Sequence, residues 1–119
     1  MTERTVVLVV EDVDDERELA RSILARHGYL VLAARDAETA LSFMRVVVDI
    51  LFTDIVLPGG MNGFQLSRLA RTINPAIKVI CTTGFRWALE ESWEDRRTML
   101  PKPYRPEQLI AEVERAASP

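Results

Sequence analysis

Four short fragments of this chain carry side chains suited to chemistry, and each closes an apolar run: Glu11-Asp12, Asp54, Thr82-Thr83-Gly84 and Lys102-Pro103. If those runs are parallel strands, the fragments meet along one edge of a sheet, where α/β proteins bind ligands. Three carboxylates gathered there repel one another by about 4 kcal/mol per close pair at an effective dielectric near 20. Such a site needs a cation. The chain has one histidine, His27, and one cysteine, Cys81, so no imidazole or thiolate cluster is available. A hard-oxygen set suits Mg²⁺ or Mn²⁺ better than Zn²⁺. Mg²⁺ held by few protein ligands commonly works with phosphate. A lysine and a hydroxyl opposite would neutralise and hydrogen-bond phosphoryl oxygens.

The elements that must position these residues follow from periodicity. Val6-Val7-Leu8-Val9-Val10 is an unbroken apolar run, the mark of a strand covered on both faces. A helix is expected over 14–27, with Leu19, Ile23 and Leu24 on its apolar stripe and Gly28 at its C-terminus. A second strand is expected over 29–33. Asp36 then caps a helix with Ala37, Ala40, Leu41 and Met44 at i, i+3, i+4, i+7. A third strand, 50–53, ends at Asp54 and the turn-rich Pro58-Gly59-Gly60. Leu66, Leu69, Ala70 and Ile73 mark a helix stopped by Asn74-Pro75. A fourth strand over 77–82, a weakly periodic short helix over 86–95 and a fifth strand over 98–100 follow. Pro106 opens a last helix with Leu109, Ile110, Val113 and Ala117. Five strands alternating with five helices predict an α/β fold, a five-stranded parallel sheet with helices on both faces.

Composition excludes other classes. A chain of 119 residues with 48% apolar content fits one domain. A lone cysteine excludes an intrachain disulfide. The longest apolar run is six residues, 29–34, far short of the roughly 20 needed to span a membrane. Fifteen basic against 18 acidic residues, net −3, argue against nucleic-acid binding through a basic surface. The N-terminus shows no signal-peptide pattern, so a cytoplasmic protein without a membrane partner is the expectation.

With the fragments in this order, the chain resembles the receiver domain of bacterial response regulators in two-component signalling. The resemblance covers about residues 5–117, so residues 1–119 are expected to form a single receiver. It rests on Val9-Val10-Glu11-Asp12, on Thr53-Asp54 through Pro58 with Asn62-Gly63, on Thr82-Thr83-Gly84, and on Lys102-Pro103-Tyr104. It implies a flavodoxin-like, doubly wound (βα)5 fold. It implies Asp54 as phosphoacceptor, taking a phosphoryl group from a sensor histidine kinase or phosphotransfer protein. Asp12, Asp54 and the backbone carbonyl of Val56 would ligate Mg²⁺ (or Mn²⁺), with Glu11 assisting. Lys102 would pair with the phosphoryl group and Thr83 would donate its hydroxyl to it. The backbone N–H groups of Val56 and Gly84 would complete the cradle. A receiver is no enzyme in the ordinary sense, although it assists its own phosphorylation and dephosphorylation. Output to a downstream protein is expected through the face formed by residues 86–117.

Some features depart from the family pattern. Met99 stands where receivers usually carry an aromatic residue, the loop from Leu57 to Gly63 is one residue longer than usual, and the stretch between Thr83 and Lys102 is short. Asp14, Asp15 and Glu16 read as a solvated helix start, where acids are favoured. Cys81 reads as core, His27 as a surface residue near a helix end, and Trp87 and Trp93 each as partly buried. Two rival functions would make different demands on the sequence. An aspartyl-phosphate phosphatase would need a second acid where Val56 stands, and a cap domain. A pseudo-receiver would lack one of the five site residues, all of which are present.

Overall fold

The computed structural model describes residues 4–85, 87–88 and 98–118. Along the chain it places β1 (Val6–Val10), α1 (Asp14–Arg26), β2 (Leu30–Ala34), α2 (Ala37–Phe43), β3 (Ile50–Asp54), α3 (Gly63–Ile73), β4 (Lys78–Thr83), β5 (Thr98–Pro101) and α4 (Pro106–Ala117). The helix expected over 86–95 falls largely outside the described residues, as do Trp93, Arg96 and Arg97. Trp87 is described and is 53% exposed, which corrects the expectation of partial burial. Its indole lies 6.3 Å from the Phe85 ring, itself exposed.

All five strands pair in parallel, in the order β2-β1-β3-β4-β5. Strand side chains alternate between faces. Leu8, Val10, Leu51, Val79 and Cys81 pack against α2 and α3. Val7, Val9, Ile50, Phe52 and Ile80 pack against α1 and α4. Burial on both faces explains why β1 and β3 are continuous apolar runs rather than alternating ones. From β1 the chain builds outward to β2, then returns to add β3 on the other side. The strand order therefore reverses between β1 and β3, which opens a crevice at their carboxyl ends. Glu11 follows one of these strands and Asp54 ends the other.

The helices bury narrower stripes than their sequences suggested. In α1 the buried residues are Ala20 and Leu24, whereas Leu19 is 57% exposed. In α3, Leu66, Ser67 and Ala70 are buried, while Leu69 and Ile73 face outward. Each helix meets the sheet along one line of its surface, so residues at the edges of an apolar stripe stay solvated. The Asp36 cap agrees with expectation, and the structure adds a second at Asn62. The Asp36 carboxylate accepts from the Thr39 N–H at 2.8 Å. Asn62 and Gln65 form a reciprocal capping box at the start of α3.

That start of α3 is pressed against the end of β3. The Gly63 N–H donates to the Ile55 carbonyl at 2.7 Å. A Cβ on Gly63 would lie 2.2 Å from the Asp54 backbone oxygen, a contact no side chain can make. Only glycine permits this approach, which fixes the backbone that carries Asp54. Gly63→Ala is expected to lower stability by about 1–3 kcal/mol, the usual cost of overpacking. Urea denaturation measures it, and an unchanged midpoint would contradict the contact.

Candidate functional site

The strand ends converge as the sequence suggested. Glu11 follows β1 and is buried at 5% exposure. Asp12, beside it, is exposed. Asp54, the last residue of β3, is 7% exposed. One carboxylate oxygen from each of Glu11, Asp12 and Asp54 lies within 4.8 Å of the other two. That spacing and that all-oxygen donor set fit a hard divalent cation.

A lysine sits on the cluster. The Lys102 ammonium donates to Glu11 Oε1 at 2.6 Å and to Asp54 Oδ2 at 2.8 Å. It also pairs with Glu16 Oε1 at 2.9 Å. Lys102 is delivered from the end of β5, where its N–H donates to the Thr83 carbonyl at 2.9 Å. The Val56 N–H donates to Asp54 Oδ1 at 3.1 Å. Both oxygens of Asp54 are thus held, which sets the orientation of its carboxylate. Glu11 is fixed at its other oxygen by the Val13 N–H at 3.1 Å. Arg17 Nη1 donates to the Glu11 carbonyl at 3.0 Å.

The electrostatics follow from burial. Removal from water pushes the Glu11 carboxyl up to about 7, with the nearby Asp54 charge adding to this against the pull of Lys102. Burial would depress the Lys102 ammonium, but its bonds to Asp54, Glu11 and Glu16 hold it above its usual value. Below the site, Tyr104 meets Phe52 edge-on, with ring centroids 5.8 Å apart. Burial pushes the Tyr104 hydroxyl up to about 12.

Thr83 and Gly84 close the other side. Thr83 is fully buried and its Oγ1 accepts from the Phe85 N–H at 3.1 Å. Its hydroxyl is at the site edge but is bonded to its own loop, not to Asp54. Thr82, which pairs with Asp54 in register, has a buried hydroxyl without a partner among the described residues. Met99 packs against the core beside α3. Gly84, Lys102, Pro103 and Tyr104 join Glu16 and Leu19 around a cavity of about 540 Å³ next to the cluster.

Glu16 is the residue that sequence reading misplaced. It reads as a solvated first-turn acid, yet its carboxylate reaches Lys102. Nothing in its local sequence separates it from Asp14 and Asp15. Only the turn of α1 back over the sheet edge selects it.

The family follows from comparison with known proteins. The response regulator receiver domain profile matches residues 7–114. The response regulator receiver protein CpdR of Brucella abortus is 32% identical over 113 residues, covering 92% of this chain and 93% of that protein. The positive alginate biosynthesis regulatory protein of Pseudomonas aeruginosa is 35% identical, over 95% of this chain but only 47% of its own length. Protein PetR of Rhodobacter capsulatus is likewise matched over 46% of its length, so this chain spans about half of several relatives. Among solved structures, a response regulator receiver protein from Sinorhizobium medicae superposes with a TM-score of 0.87 at 25% identity, covering 96% of this chain and 94% of that one. The receiver domain of the hybrid histidine kinase CckA gives 0.80 at 30% identity, covering 95% and 99%. This chain belongs to the response regulator receiver domain family of two-component signalling. Receivers of this family are signalling modules that bind Mg²⁺ through acidic residues and interact with histidine kinases or phosphotransfer proteins. Among the described residues no helix is long and apolar enough to cross a membrane.

Removing the lysine tests the balance of charge. Because the folded Glu11 carboxyl titrates near 7 instead of 4.5, the metal-free folded state binds more protons than the unfolded state between those values. This group's contribution to stability therefore falls as pH rises through that window. Lys102→Met leaves two buried carboxylates unpaired. The loss is expected to be about 3 kcal/mol near about pH 8, and smaller near about pH 5, where Glu11 keeps its proton. Urea denaturation of the metal-free variant at both values reads the difference, and an equal loss at both would contradict it.

Proposed function

We propose that this chain is a phosphorylation-dependent relay in which Asp54 accepts a phosphoryl group from a sensor histidine kinase or a phosphotransfer protein. The observation that carries this reading is the Asp54 carboxylate, with one oxygen on the Val56 N–H and the other on Lys102, beside two further acids. An Asp54 oxygen attacks the phosphorus of an N-phosphorylated imidazole. The P–N bond breaks and its electron pair leaves with the imidazole nitrogen, which takes a proton from solvent. The product is an acyl phosphate. Transfer of this kind needs positioning and charge neutralisation more than covalent work by the protein.

Asp12, Asp54 and the Val56 carbonyl would hold Mg²⁺, with Glu11 assisting from beside them. When bound, the ion neutralises charge on the transferring phosphoryl oxygens. Lys102 supplies a second positive charge to the same oxygens. The backbone N–H groups of Val56 and Gly84 complete the cradle. Thr83 carries the signal outward: swinging its side chain to donate to a phosphoryl oxygen moves Oγ1 away from the Phe85 N–H that it now accepts from, and loosens the backbone at Phe85. Met99 leaves no aromatic ring to rotate. The response passes through the 86–117 face to a downstream protein.

Incubation with Mg²⁺ and acetyl phosphate tests the reading. One acid-stable, base-labile phosphoryl group per chain is expected by intact mass. Asp54→Asn removes it, and Asp12→Ala slows its uptake about 10²-fold, the cost of losing a charge-stabilising group. Wild-type protein that takes up nothing would be a pseudo-receiver, and continuous turnover of phosphate esters would mark a phosphatase.

Metal binding carries its own signature. Glu11 keeps a proton up to about 7 and must release it to assist a cation. Mg²⁺ affinity is expected to rise about tenfold between about pH 6 and about pH 8. Titration calorimetry measures it, and Glu11→Gln flattens the dependence.

A further inference from the structure

We propose that Glu16 is a positioning residue that competes with the phosphoryl group for Lys102, an assignment that rests on the phosphoacceptor reading of Asp54. An ammonium has three N–H donors and no acceptor. In this structure Lys102 faces three carboxylates, Glu11 at 2.6 Å, Asp54 at 2.8 Å and Glu16 at 2.9 Å. Its donors are thus fully committed to the protein. A phosphoryl group on Asp54 brings three strong acceptor oxygens, and Lys102 bonds to them only by releasing a carboxylate.

The three competitors differ. Glu11 and Asp54 belong to the acidic cluster that a divalent cation would draw together. Glu16 stands outside that cluster, on the first turn of α1, and its side chain is 45% exposed. Its hold on Lys102 is made from outside the set of acids that a cation would engage. Its competition is therefore felt when a phosphoryl donor arrives from solution and must recruit the lysine. It is not felt in the same measure once the acyl phosphate exists, because Lys102 has already moved to the new oxygens in both the bound state and the hydrolytic transition state. Interactions equal in these two states leave the step between them unchanged. Glu16 thus restrains uptake and leaves lifetime alone. Bare repulsion is the lesser effect, since the Glu16 charge is paired and half in water, where screening is strong.

The experiment compares Glu16→Gln with wild type in Mg²⁺, reading the second-order rate of uptake from acetyl phosphate and the lifetime of the acyl phosphate after donor removal. Glu16→Gln is expected to raise the uptake rate about threefold, the scale of a half-exposed ion pair, with an unchanged lifetime. Asp15→Asn removes the same charge from the neighbouring exposed position and is expected to change neither. In a Lys102→Met background, Glu16→Gln is expected to lose its effect. Equal acceleration by Asp15→Asn, an effect that survives Lys102→Met, or no acceleration by Glu16→Gln would each overturn the assignment. Wild-type protein that takes up no phosphoryl group overturns the Asp54 reading and this assignment with it, whereas wild-type uptake with any of the former results overturns this assignment alone.

Discussion

The ammonium of Lys102 joins, by charge, side chains from four separate segments of the chain. Its three carboxylate partners come from the end of β1, the first turn of α1 and the end of β3, and the lysine itself arrives from β5. Two of those carboxylates, Glu11 and Asp54, are almost fully buried. Without a cation between them the edge of the sheet would carry adjacent anions out of water, which is far more costly than at a solvated surface. The sheet can assemble its acidic rim because the fifth strand delivers a positive charge to the same place. Lys102 neutralises the two buried members of that rim, Glu11 and Asp54, and leaves the exposed Asp12 to solvent.

The rest of the fold serves that rim by being apolar everywhere else. Each central strand buries both faces, one toward α2 and α3 and the other toward α1 and α4. Polar side chains with work to do are pushed to the strand ends, where the backbone leaves the sheet and water can enter. The reversal of strand order between β1 and β3 opens the crevice at that end. Gly63 lets α3 start directly against the Asp54 backbone, and the Val56 N–H fixes the carboxylate from the following turn. Tyr104 packs edge-on against Phe52 of the core, which anchors the segment just after Lys102.

The same arrangement connects the rim to the outer surface. The Thr83 oxygen accepts from the Phe85 N–H, which holds the hydroxyl against its own loop while leaving its O–H free to donate. The Phe85 and Trp87 rings beyond it are both exposed and lie together. Leu19, also exposed, borders the cavity that runs from Lys102 to Tyr104.

Much of this was legible in the sequence because it depends on local periodicity. Unbroken apolar runs alternating with helical stripes specify a parallel sheet covered on both faces, and strand ends then name Glu11, Asp12, Asp54, Thr83 and Lys102. The Asp36 cap was legible too, since a cap bonds within its own few residues. What local pattern could not decide was which side chains cross between segments. Glu16 carries the same first-turn signal as Asp14 and Asp15, and Leu19 the same stripe signal as Leu24. The rotation of α1 against the sheet turned Glu16 toward Lys102 and Leu19 toward water. Likewise the sequence favours Thr83 by its place before Gly84, but only the structure shows its oxygen accepting from the Phe85 N–H while the Thr82 hydroxyl is buried without a partner among the described residues. Periodicity is a property of neighbours along the chain, whereas ion pairs over long sequence separations depend on how elements pack, and only the tertiary structure fixed that.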